Sequence, residues 1–205
     1  MEEFTLSSKS EGKYHEKGSI FSALAIPVSD VAEVKTNLHQ LKEQFPDASH
    51  ICYGYRIKER GRLDEFATDA GEPKGSSGLP ILNVLKRNKI VDAVIFVVRY
   101  FGGSKLGIPG LINAYGTAAE GTIENAKVKK WVQLERISFI YNYDLQNKVD
   151  SIFQKFKVKI INTNFGASIQ VNLEVEVEKT EALAQELSEI SKGTIRAIHA
   201  SLSDS

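Results

Sequence analysis

Two glycine-rich stretches hold the residues with the most chemistry to offer. The first is Thr68-Asp69-Ala70-Gly71-Glu72-Pro73-Lys74-Gly75-Ser76-Ser77-Gly78. The second is Arg99-Tyr100-Phe101-Gly102-Gly103-Ser104-Lys105-Leu106-Gly107-Ile108-Pro109-Gly110. Each delivers the chain to a segment with helical character, and the free N–H groups and positive dipole end of a helix start favour an anion. Arg99, Lys105 and Lys74 add positive charge, and Tyr100 and Phe101 offer faces on which a base can stack. The pattern therefore points to anion or RNA binding by Arg99, Lys105, Lys74, Tyr100 and Phe101, with the backbone of Gly102, Gly103, Gly107 and Gly110. Named phosphate motifs do not match. A P-loop needs Lys-Ser/Thr after its second glycine, whereas Gly107 is followed by Ile108-Pro109, and G-x-G-x-x-G is absent. A second reading stays open, in which the glycines only make tight turns and close helix–sheet contacts.

Acid–base candidates are sparse. His50 and Cys52 are two apart, so on a strand they share a face. No orienting group is visible for a Cys–His pair, and Cys52 reads as a small buried residue. Asp69 and Glu72 offer a carboxylate pair or, more simply, turn caps. Gly75-Ser76-Ser77-Gly78 departs from the G-x-S-x-G elbow, and Ser76 or Ser77 reads as a helix N-cap. His50, Asp69, Glu72, Ser76, Ser77 and Tyr115 are the partners expected around a cleft between the turns. No catalytic residue, metal set or cofactor is assigned, and a single cysteine excludes a Cys-rich zinc site and an intramolecular disulfide.

The elements that must position these groups are legible in outline. In 205 residues, 42% are apolar and 25% charged, which suits a globular chain of one large or two small domains. Lys plus Arg and Asp plus Glu both number 26, so a uniformly basic nucleic-acid binder is excluded. The start Met1-Glu2-Glu3-Phe4 lacks the apolar core of a signal peptide, and no apolar run approaches the ~20 residues of a membrane helix. No membrane partner and a cytoplasmic location are therefore expected. The patterning predicts a strand over 18–28, a helix over 30–45 capped by Asp30 and stopped by Pro46, and a strand over 50–57. A charged turn follows near Gly61, then loop over 64–78 and a helix over 79–87. Residues 90–100 read as a strand covered on both faces, and 109–126 as a helix.

After Lys130 prolines cease, and the order becomes strand, helix, strand, strand, helix, strand over 131–202. That is the βαββαβ arrangement of ferredoxin-like domains. The predicted organisation is α+β, with domains over 1–128 and 129–205. Within the second, Lys129–Lys159 carries seven basic and three acidic residues, and Ile160–Ser205 carries three basic and seven acidic. Because the strands interleave, this asymmetry need not become a spatial one.

The motif Asp69-Ala70-Gly71-Glu72-Pro73-x-Gly75-x-x-Gly78-x-Pro80-Ile81-Leu82 resembles the IMPACT/YigZ family. So does Val97-Val98-Arg99-Tyr100-Phe101-Gly102-Gly103-x-Lys105-Leu106-Gly107-x-x-Gly110-Leu111-x-x-Ala114-Tyr115. Upstream, Ala48-Ser49-His50-x-Cys52-Tyr53 and Lys17-Gly18-Ser19-x-Phe21 are similar to the family's opening segments, so the resemblance covers about residues 15–127. It implies an N-terminal α/β sandwich like the second domain of ribosomal protein S5, and a C-terminal domain like the last domain of elongation factor G. It also implies a role near translation or RNA, since eukaryotic IMPACT is a translational regulator. The family's second Asp is Ala70 here, its glycine before Gly110 is Pro109, and its arginine before Ala-Tyr is Asn113.

Three functions follow as expectations. The first is a non-catalytic, translation-associated regulator binding RNA, the ribosome or translation factors through the turns. The second is an enzyme or sensor for a small phosphorylated or carboxylated ligand held between them. The third is a protein-interaction module in which the turns are structural only.

Overall fold

The computed structural model describes residues 2–59, 62–195 and 197–199. The predicted turn at Gly61 and the end of the last predicted strand beyond His199 lie outside them. Two compact units divide the chain, Met1–Trp131 and Val132–Ser205.

The first unit runs β1 (Phe4–Leu6), β2 (Ser10–Glu16), β3 (Ser19–Pro27), α1 (Val31–Gln44), β4 (His50–Glu59), β5 (Arg62–Thr68), α2 (Gly78–Arg87), β6 (Ala93–Tyr100), α3 (Gly107–Glu124) and β7 (Val128–Lys130). Its main sheet has the order β2-β3-β6-β4-β5 with every pair antiparallel. The apolar run predicted to be covered on both faces is the central strand β6, buried from Ala93 to Arg99. One face packs Leu24, Ile26, Tyr55 and Phe96 against Val34 and Leu41 of α1. The other packs Ala23, Cys52, Ile95 and Val97 against Ile81 and Leu85 of α2 and Ala114 and Ala118 of α3. Alternate residues of one strand thus serve opposite layers, as a period of two requires. Asp30 caps α1 as predicted, its Oδ1 accepting from the Glu33 N–H at 2.8 Å.

Several elements correct the sequence reading. Residues 64–68, predicted as loop, belong to β5, an edge strand whose pairing to β4 needs only backbone bonds. The polar edge strand β2 and the short β1 carry no apolar alternation strong enough to signal them. The strand predicted from residue 131 begins at Leu134, because the preceding segment stays with the first unit. There β7 pairs with β1, and the Trp131 N–H bonds the Glu3 carbonyl at 2.9 Å.

The second unit contains β8 (Leu134–Tyr141), a short 3-10 turn, α4 (Gln146–Phe156), β9 (Lys159–Phe165), β10 (Ile169–Glu176), α5 (Val177–Ile190) and β11 (Ala197–His199). Its antiparallel sheet has the order β11-β8-β10-β9, the ferredoxin-like order predicted from the element sequence. Val149, Phe153, Leu183 and Leu187 of the two helices pack on Ile137, Phe139, Val171 and Leu173.

Candidate functional site

The two glycine-rich turns meet at the end of β4 and β6 in the first unit. Register places His50 opposite Arg99 and Cys52 opposite Val97, so His50 and Cys52 share the face covered by α2 and α3. Glu72, from the first turn, sits at the centre. Its Oε1 accepts from Arg99 Nη1 at 2.6 Å and from the Tyr115 hydroxyl at 2.7 Å, and His50 Nε2 lies 4.0 Å away. The Cys52 thiol donates to the Asp69 carbonyl at 3.0 Å and lies 3.4 Å from the Tyr115 hydroxyl. His50 Nδ1 is 2.9 Å from the Ala70 carbonyl. A carbonyl only accepts, so Nδ1 carries the proton there and Nε2 is turned toward Glu72.

Asp69 answers the question raised by the first helix start. Its carboxylate accepts from the N–H groups of Gly75 at 2.7 Å, Ser77 at 3.0 Å and Gly78 at 2.9 Å, and from the Ser77 hydroxyl at 2.9 Å. The anion predicted at this N-terminus is thus the turn's own side chain. Ser77 occupies the N-cap position without making the side-chain cap bond expected of it, and the buried Ser76 hydroxyl turns back to the Pro73 carbonyl at 2.6 Å. Positive φ at Ala70, Gly71 and Gly75 bends the loop around the carboxylate. Gly78 must lack a side chain, because a Cβ there would meet the Thr68 backbone at 2.7 Å.

The second turn is anchored differently. The Phe101 N–H donates to the Ser49 hydroxyl and the Gly102 N–H to the Ser19 hydroxyl, both at 3.1 Å. At Gly102 a Cβ would stand 1.9 Å from the Gly18 carbonyl carbon, so the strands' ends touch backbone to backbone. The helix start that follows, at Gly107, has no side-chain cap. Ser19 and Ser49 were not among the predicted site residues, although both lie in the upstream segments that carried the family resemblance.

Electrostatics separates the groups into spent and available. Burial, helped by the charges of Glu72 and Asp69, pushes the Cys52 thiol up to about 11 against weaker help from Ser77 and Tyr115 hydrogen bonds. Burial first, then Cys52 and Glu72, also raises the Tyr115 hydroxyl far above its ordinary value. Burial alone would raise the Asp69 carboxyl, but the amides of Gly75, Gly78 and Ser77 and the Ser77 hydroxyl outweigh it and hold it low. Arg99, predicted among the anion contacts, is only 6% exposed and already bound to Glu72. Lys74, Lys105, Phe101, Gly102 and Gly103 are exposed, Tyr100 and Gly110 are half-buried, and Gly107 is exposed at the start of α3. Among the described residues no group of three His, Cys, Asp or Glu side chains could hold a metal, and no helix is long and apolar enough to cross a membrane.

Residues 17–123 match the family described as Impact N-terminal domain, and residues 139–194 match a domain of unknown function, DUF1949. The chain is 28% identical to the IMPACT family member YvyE of Bacillus subtilis, over 93% of this chain and 87% of that protein. It is 30% identical to an IMPACT family member of Haemophilus influenzae, over 76% of each. A solved structure described as "Crystal structure of an hypothetical protein" shares the fold with a TM-score of 0.69, at 21% identity over 98% of both chains.

Proposed function

This chain belongs to the IMPACT family, and from that premise we propose that it acts as a non-catalytic translational regulator, binding RNA or a ribosome-linked partner through its glycine-rich turns. The regulatory part of the reading comes from the family, whose eukaryotic members are translational regulators. The binding part rests on one observation. The groups able to do acid–base or nucleophilic work are engaged with one another, while the groups left at the surface are those of a binding face. Glu72 takes Arg99 and Tyr115, Asp69 takes four donors, and the Cys52 thiol holds its proton. Outside stand the ammonium groups of Lys74 and Lys105, which make no ion pair among the described residues, and the 51% exposed Phe101 ring. Cations that contact phosphate and an aromatic face that stacks a base are the parts from which single-stranded RNA sites are built.

Cosedimentation with ribosomes and retardation of single-stranded RNA at low salt test the proposal. Binding should weaken as salt rises, and Lys105→Ala should weaken it on every sequence and reduce the salt slope by about one phosphate contact. A protein that neither cosediments nor retards RNA at low salt refutes it.

A further inference from the structure

The buried side of Arg99 plays no part in that binding face. β6 carries the guanidinium inward, where its central carbon lies 5.4 Å from the Phe21 ring centre and 5.6 Å from that of Phe101. Nη1 serves Glu72, but Nε is buried and has no hydrogen-bond partner among the described residues. Arginine does not give up its proton inside a protein, so this N–H is a buried donor that the protein leaves without an acceptor. In a guanidinium, Nε–H and one terminal N–H point the same way and form an edge that fits the two oxygens of a carboxylate or phosphate. Glu72 reaches the group through Nη1, away from the Nε–H edge.

We propose that this Nε edge of Arg99 receives a small oxyanion, a carboxylate or a phosphate monoester, seated between the two glycine-rich turns with Phe101 as its outer wall. The two walls differ in the way such a site needs. Phe21 is fully buried and fixed edge-on against Tyr115, with ring centres 5.1 Å apart at 81°. Phe101 is half exposed and is followed by Gly102 and Gly103, which have no side chains to obstruct it. Phe101 lies over the guanidinium as a wall that can turn, since exposed side chains change rotamer in picoseconds to nanoseconds, whereas Phe21 is held. Burial of Nε favours a small ligand over a polymer backbone. Glu72 already offsets the Arg99 charge, so an anion needs further positive potential. Lys105 and the uncapped start of α3, on the same turn, supply it.

The Arg99 Nε–H resonance reads this site directly. It is assigned by its loss in Arg99→Lys, or through bonds should that variant not fold. Wild-type protein is titrated with inorganic phosphate and with acetate at constant ionic strength. The Arg99 signal should move saturably with at least one anion, and the tighter of the two names the class. Arg56 is the internal control, because its buried Nε already donates to Glu65 at 2.8 Å and its signal should stay still. Phe101→Ala removes a ring–guanidinium wall and should weaken the titration ~two- to five-fold. No saturable movement with either anion, equal movement of Arg56, or movement with single-stranded RNA alone would overturn the proposal. The last result would leave the RNA reading standing, and failure to bind RNA would leave this site untouched.

Discussion

Asp69 shows how one side chain can answer a need that its neighbours create. The start of α2 exposes amides that want an anion, and a carboxylate nine residues before Gly78 returns across the turn to meet them. From sequence the need was legible and its answer was not, because spacing along a loop does not say which way the loop folds back. The consequence is measurable. The folded-state carboxyl is held below its ordinary value of about 3.9, so its stabilisation is complete above that pH and is lost as pH falls through the lower folded value. Asp69→Ala should therefore lower stability at pH 7 by about 1–2 kcal/mol, and the gap from wild type should close in strong acid. Urea unfolding midpoints at the two pH values check it. Cys52 gives the opposite sign. Its folded thiol titrates at about 11, above the ordinary value of about 8.5, so its contribution is intact below the lower value and is lost as pH rises through the higher. Near neutral pH the native thiol should resist alkylating reagents that modify it at once in denaturant. Rapid labelling of the native protein would contradict the buried hydrogen bond to Asp69.

At the scale of elements, the sequence spoke clearly where an element buries a stripe and poorly where it forms an edge. The strand at 90–100 and the helices starting near 30, 79 and 109 were all readable, because apolar periodicity marks what packs inward. β2 and β5, the two edges of the main sheet, hold mostly polar side chains and join through backbone bonds that any residue can make. Polar edges also discourage pairing with other chains, so a weak signal is what a well-behaved edge produces. Glycines invert the problem, since their crowding was visible but their separate purposes were not. Gly102 is needed for close approach, with no room for a methyl group against Gly18. Gly116 lies inside α3, and an added Cβ there meets nothing within 4 Å. Gly102→Ala should therefore destabilise by about 3 kcal/mol or more, at or beyond the upper end of overpacking effects. Gly116→Ala should stabilise by about 0.5–1 kcal/mol through helix propensity. Thermal melts of the two variants should move in opposite directions, and a shared direction would show that the backbone at Gly102 can yield.

For the molecule as a whole, the balance of charge and the placing of the domain boundary depend on contacts distant in sequence. The basic stretch 129–159 and the acidic stretch after it are stitched together in the second unit. Glu174 of β10 takes Arg136 and Lys159, each at 3.1 Å, and Glu186 of α5 takes Lys155. Part of the surplus read along the sequence is thereby cancelled in space. The first unit runs to Trp131 for a similar reason. Composition changes after Lys130, but β7 pairs with β1, and the Trp131 indole donates to Asp92, whose other oxygen accepts the Lys58 N–H at 2.8 Å. Lys58 in turn lies 4.4 Å over the Trp131 ring and pairs with Glu3. These bonds close the first unit on Lys129–Trp131, which a boundary at 128/129 would leave outside. Residues 1–131 expressed alone should fold cooperatively, since their core draws only on their own strands and helices. A fragment ending at residue 127 should be less stable by roughly 1–3 kcal/mol, the scale of leaving one oxygen of a half-buried carboxylate without its Trp131 donor and an edge pair unmade. Equal melting temperatures for the two fragments would show that residues 128–131 add nothing to the first unit.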